Sequence, residues 1–144
     1  MSAFLYYEGT ADYLAATPAL IVTFAASGSI TAGRGVVNGG ASNPGYVYQP
    51  PSGTISGSLV PAGVALSTVS DGDPLPVLVW GYAKSLTTLA TASNNYFGQA
   101  LVITGSGYWG ASGSTKVATV AGKIISGSAG YIYAFINCMD NVVA

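Results

Sequence analysis

The residues closest to a catalytic arrangement are Asp71 and Asp73, two carboxylates separated by one glycine. Such a pair can ligate calcium, or divide the acid and base roles of glycoside hydrolysis. Calcium needs further oxygen ligands close by, and the other acids, Glu8, Asp12 and Asp140, are remote in sequence. The run Ser70-Asp-Gly-Asp-Pro74 is also what a tight turn ahead of a strand requires, and a turn is expected there. A second pattern, Gly105-Ser-Gly-Tyr-Trp-Gly110, satisfies GxGxxG after a strand-like segment. Dinucleotide binding needs those glycines to open a helix, with an acid about 20 residues on. The next residues are instead Ala-Ser-Gly-Ser-Thr, a loop, and no acid occurs between Asp73 and Asp140. A hairpin presenting an exposed Tyr108-Trp109 pair is the simpler expectation, and that pair is a candidate interface anchor.

The wider inventory closes most other chemistry. The chain has no histidine, so a Ser-His-Asp or Cys-His constellation and any His-containing zinc site are excluded. Cys138 is the single cysteine, which rules out an internal disulfide and a thiolate cluster. We therefore expect a protein that is not an enzyme and that has no catalytic, cofactor-binding or metal-binding residues. Arg34, Lys84, Lys116 and Lys123 are scattered, with no basic footprint for nucleic acid. The longest apolar runs, around Ala19 to Ala26, Leu75 to Ala83 and Tyr131 to Ile136, fall far short of the roughly 20 residues a membrane helix needs. Met1 to Glu8 lacks a basic start and a long apolar stretch, so export by the usual route is not expected. The absence of an Asn-x-Ser/Thr sequon removes one sign of a glycosylated secreted lectin.

Half of the 144 residues are apolar and only 6% are charged, with a net charge of −1, against about 25% charged in ordinary soluble domains. A chain with so little charge to keep its copies apart is expected to self-associate in a controlled way. Turn residues recur about every ten positions between short runs of Val, Ile, Thr and Tyr, as in an antiparallel β domain. The strands predicted are Ala3 to Tyr7, Leu20 to Ala25, Gly35 to Val37, Gly63 to Leu66, Leu75 to Ala83, Ala100 to Thr104, Thr115 to Val120, Lys123 to Ile125 and Tyr131 to Asn137. Leu86, Leu89 and Ala90 have helical spacing, but the threonines beside them leave Ser85 to Tyr96 as loop or a single turn. Asn38 to Ser58 has no periodicity and contains Pro44, Pro50 and Pro51, which withhold backbone donors. It is expected to project as a loop carrying Tyr46 and Tyr48 to the outer surface or to a neighbour.

Leu75, Val77 and Val79 lie on one face of their strand and Leu78, Trp80 and Tyr82 on the other. Tyr131, Tyr133 and Phe135 oppose Ile132, Ala134 and Ile136 in the same manner. Apolar residues on both faces require cover on both faces, from a closed barrel with its loops, a two-sheet sandwich, or a neighbouring subunit. The charge deficit favours the neighbour.

Several segments resemble the small decoration, or cement, proteins of tailed-bacteriophage heads. Tyr6-Tyr-Glu-Gly-Thr-Ala-Asp-Tyr13 resembles an opening glycine turn and extended arm, and Ala26 to Val37 a first core strand. Gly63-Val-Ala-Leu66, Asp71-Gly-Asp73 and Val77 to Gly81 are similar to the family's strand, glycine turn, strand and closing glycine. Val120 to Ile125 followed by Gly130 to Phe135 resembles its terminal hairpin. The resemblance implies an all-β fold, a small antiparallel β-barrel or β-tulip-like domain with long loops, with a jelly-roll-like β-sandwich as the alternative. It further implies a structural virion protein, made in the host cytoplasm and located on the capsid surface, which binds adjacent major capsid protein subunits as a homo-oligomer, a trimer. A fibre or tail-type self-assembling subunit, or a carbohydrate-binding module using Tyr46, Tyr48, Tyr108 and Trp109, are the competing readings. Residues 1–144 are expected to form one domain, with 1–8 as an N-terminal arm and 38–58 as the projecting loop. Phe4, Leu5, Tyr6 and Tyr7 are candidates to add as a strand to a partner's sheet edge, or to form the first strand of this domain.

Overall fold

The computed structural model describes residues 19–39, 43–52, 60–87, 100–111, 121–128 and 131–138. Within them the chain is all-β. Leu20–Ala26 (β1) is a β-branched and apolar run that ends at Ser27-Gly28, where Gly28 takes a φ of +84°. Gly35–Asn38 (β2), Tyr46–Tyr48 (β3), Pro61–Ala65 (β4) and Pro74–Thr87 (β5) come next. Proline opens both β4 and β5, a position where its missing N–H is tolerated. Ala100–Ile103 (β6) and Trp109–Ala111 (β7) form a hairpin around a short 3₁₀ turn at Gly105–Gly107, and Gly122–Ser128 (β8) and Tyr131–Asn137 (β9) form another.

The first five strands close on themselves. Their order is β1-β3-β2-β4-β5, and β5 returns to β1 with Leu20 opposite Trp80 and Ala25 opposite Pro74. Only the β1–β3 pair is parallel, and the others are antiparallel. The result is a five-stranded barrel, the closure that removes exposed sheet edges. β5 outlasts it. Beyond Trp80 its other edge passes from β4 to β9, and the sheet continues through β8 and β6 to β7.

This second sheet folds back onto the barrel wall. A side chain on Gly35 would meet the Ile103 side chain 2.6 Å away, and the Trp109 indole Nε1–H donates to the Gly33 carbonyl at 2.9 Å. Cover by the hairpin outside and by the barrel within explains why Gly35, Val36 and Val37 are all buried in succession. One hydrophobic cluster runs through all nine strands, with Leu75, Val77, Leu78, Val79, Leu101, Ile103, Trp109, Ile124 and Ile136 among its members. No helix among the described residues is long and apolar enough to cross a membrane.

Three expectations need correction. Tyr46–Tyr48 is a barrel strand paired with β1 on one side and β2 on the other, so residues 38–58 do not form one projecting loop. The prolines bracket the strand and leave its backbone free to pair. Ser85 to Thr87 continue β5, because Leu86 and Thr87 pair with Ile132 and Tyr131, and that long-range pairing prevails over the local helical spacing. Trp109–Ala111 is a further strand that the sequence pattern did not reveal. The segments around Ala3 to Tyr7 and Thr115 to Val120 lie outside the described residues.

Candidate interaction surface

The two carboxylates of the Asp71-Gly-Asp73 turn are both engaged by backbone N–H groups. Gly28 N–H donates to Asp71 Oδ1 at 2.7 Å, and Ser70 N–H donates to Asp73 Oδ2 at 3.1 Å. Gly72, with φ of +84°, donates to the Ala26 carbonyl, and Ala26 N–H donates to that of Asp73. These bonds fasten the end of β1 to the start of β5 at the mouth of the barrel. The pair serves the turn, as its sequence setting suggests. Among the described residues no group of three or more His, Cys, Asp or Glu side chains is placed to hold a metal ion.

The GxGxxG match is a hairpin turn leading into a strand. Ser106 and Gly107 adopt positive φ, and Thr104 binds the Tyr108 carbonyl through both its N–H and its hydroxyl. The turn docks against the barrel through Arg34. The Arg34 guanidinium donates to the Ser106 carbonyl at 2.7 Å and to the Tyr108 hydroxyl at 3.0 Å, and stacks 3.8 Å from the Tyr108 ring centroid. Gly107 lies so close to Gly35, Gln49 and Arg34 that a side chain there would collide with them. The expected exposed Tyr108-Trp109 pair is therefore not formed. Tyr108 is half-buried beneath Arg34, and Trp109 is 1% exposed because its ring fills the seam between hairpin and barrel.

The remaining candidates are separate from one another. Tyr46 is 43% exposed, whereas Tyr48 packs against the core. Phe4, Leu5, Tyr6 and Tyr7 lie outside the described residues. Cys138 is buried, with its thiol directed at the Ala121 carbonyl 3.4 Å away, and burial pushes its pKa up to about 12. At neutral pH it is a protonated thiol rather than a nucleophile.

The surface feature that the candidate residues missed is on β5 and β9. Gly81 and Ala83 face inward with Ala134 and Ile136, and all four are buried. On the opposite face stand Trp80, Tyr82, Tyr133 and Phe135, each half-buried. Trp80 and Tyr82 both meet Phe135 edge to face, at 5.0 and 5.1 Å between centroids, and Tyr82 stacks on Tyr133 at 6.1 Å. The signal was present in the two-sided apolar pattern of these strands. On this stretch of β5 the pairing with β4 ends at Leu78, and β9 takes over that edge from Trp80.

Together these features define a class, a small all-β domain in which a closed five-stranded barrel shares its longest strand with an appended sheet. Among solved structures the chain is similar to the N base of the head fiber gp8.5 in bacteriophage phi29, with 18% identity and a TM-score of 0.50, over 83% of this chain and 94% of that one. At that identity the likeness concerns the fold. No protein-family model matches the chain, and no curated protein does.

Proposed function

We propose that this chain is a structural protein of a bacteriophage virion, attached to the outside of the head, where it decorates and stabilises the shell by binding adjacent major capsid subunits as a trimer. The observation that carries this reading is the fold shared with a phage head-fibre base along nearly the whole of that base. Two further features support it. The polar groups that most resembled a catalytic site are engaged in a turn, and the charge content is too low for a protein that remains dispersed on its own.

A second reading, the base of a fibre projecting from the head, is favoured by the identity of that structural neighbour. Both readings put the chain on particles, and one experiment separates them. Virions purified by density gradient should contain the chain in fixed stoichiometry to the shell protein, and cryo-electron microscopy should locate it. Coverage repeating across the shell, together with loss of heat resistance in particles lacking the gene, supports decoration. Sparse protrusions with unchanged shell stability support the fibre base. Particles that contain none of this chain would overturn both. The carbohydrate-module reading is the least favoured, because a sugar platform presents flat ring faces to solvent. The rings on β5 and β9 turn edges and faces toward one another, while Trp109 is inaccessible.

A further inference from the structure

We infer that Asn38 and Gly39 form a self-modification site, at which the Asn38 carboxamide is converted to aspartate or isoaspartate whenever the short strand β3 releases the end of β2. Asn38 is the last residue of β2, and Gly39 follows it. In such a step the Gly39 amide nitrogen attacks the Asn38 side-chain carbonyl carbon. A C–N bond forms, ammonia leaves, and a succinimide ring results. Water then adds to one of the two ring carbonyls and opens the ring, giving aspartate or, with the backbone rerouted through the side chain, isoaspartate. Glycine hinders this attack least of all successors, because it carries no Cβ. The fold requires glycine here for a separate reason. A Cβ on Gly39 would lie 2.8 Å from the Asn43 carbonyl oxygen and 3.1 Å from that of Tyr46. The close approach to β3 therefore brings the reactive pair with it.

The same approach guards the pair. Gly39 N–H donates to the Tyr46 carbonyl at 2.9 Å, Asn38 N–H donates to that of Val60 at 3.0 Å, and Asn38 lies opposite Val47. A strand residue tied on both sides cannot swing its ψ to bring the following nitrogen onto its own side chain. Attack therefore requires the bond from Gly39 to Tyr46 to break. β3 is only three residues long and meets each neighbour over two residues, whereas β1 and β5 are paired over six. Tyr46, whose carbonyl holds the guarding bond, is 43% exposed. Short, partly exposed pairings of this kind open locally at far lower cost than the whole fold. Each opening that ends in cyclisation is permanent. It leaves a new carboxylate in a chain whose net charge is −1. Isoaspartate also adds a methylene to the backbone, so the end of β2 would no longer keep register with β3.

The test follows Asn38 by peptide mass spectrometry, with isoaspartate resolved from aspartate, in full-length protein held in warm, mildly alkaline buffer. Asn43 is the internal control, because Pro44 has no N–H and its nitrogen cannot close the ring by this route. In denaturing urea, Asn38 should convert rapidly while Asn43 stays intact. In the folded chain conversion should be slower by about tenfold or more, as expected for a step that waits on local opening. Val47→Ala removes buried side chain from β3 and should raise the folded-state rate severalfold, with an unchanged far-ultraviolet dichroism spectrum. An Asn38 that survives in urea would overturn the site. Equal rates in the folded and unfolded chain, or a folded Val47→Ala variant with the parent's rate, would overturn its control by β3. Should Val47→Ala fail to fold, the parent in urea below its unfolding transition decides. The Asn38 rate should then rise in step with hydrogen exchange at the Gly39 amide, and a rate that stays flat while that amide exchanges faster counts against the inference.

Discussion

Arg34 helps dock the outer hairpin on the barrel, alongside Trp109. Its planar fork serves two neutral acceptors while its face lies on Tyr108, a geometry a lysine ammonium cannot reproduce. Arg34→Lys is expected to cost about 2 kcal/mol in urea unfolding. Combined with Tyr108→Leu, it should cost less than the sum of the two single changes, because both remove the same contact. An additive result would show that the stack contributes nothing. Cys138 allows a pH prediction. Its pKa rises from 9.0 to about 12 on burial, so the folded chain holds the proton more tightly than the unfolded one. That contribution is complete below pH 9 and is lost as the pH rises toward 12, up to about 4 kcal/mol at about 1.4 kcal/mol per unit. Cys138→Ala should flatten the alkaline limb of a stability profile relative to the parent, and parallel limbs would refute the assignment.

At the scale of elements, glycine controls how closely strands approach. A side chain on Gly63 would fall on the Leu78 carbonyl oxygen, between paired strands β4 and β5, and its φ of +150° disfavours one in any case. Gly28 also has positive φ but faces open space. Gly28→Ala should therefore cost about 1 kcal/mol from backbone strain alone, and Gly63→Ala several times more, on the order of 3 kcal/mol or above. Equal midpoints in denaturant would show that the barrel tolerates a wider β4–β5 gap. The contrast between these glycines was not legible in the sequence, since both simply punctuate apolar runs. The long strands were legible: β1, β5 and β9 carry sustained β-branched and aromatic runs, and β9 has the bounds the pattern predicted. β3 and β7 were not, because three residues are too few to display a period. Their pairing partners are distant in the chain or lie across a glycine-rich turn. The same limit explains the error at Trp109. Sequence placed an aromatic next to a glycine turn, and only the fold-back of the second sheet buries it.

For the whole molecule, the question is what force holds it to a partner. The chain has nine charged side chains, and among the described ones three have internal tasks. Asp71 and Asp73 accept backbone N–H bonds at the mouth of the barrel, and Arg34 secures the hairpin. The apolar residues, by contrast, exceed what the core consumes, leaving the half-buried rings on β5 and β9 and exposed Tyr46 and Val60 at the surface. Under the proposed function, the contact with a capsid would have to derive from apolar area and backbone pairing. Salt screens exposed charges, with a Debye length of only about 3 Å at 1 M, but leaves apolar burial intact. Excluded salts such as sulfate strengthen it. Particles carrying the protein should retain it when sodium chloride is raised from low to molar concentration, and should retain it at least as firmly in ammonium sulfate. Mild chaotropes, which weaken apolar burial, should release it before the shell dissociates. Sedimentation of washed particles, with the supernatant assayed for free chain, measures this directly. Release by sodium chloride alone would mean that the few remaining charges dominate the contact, and would overturn an interface built from aromatic and aliphatic area.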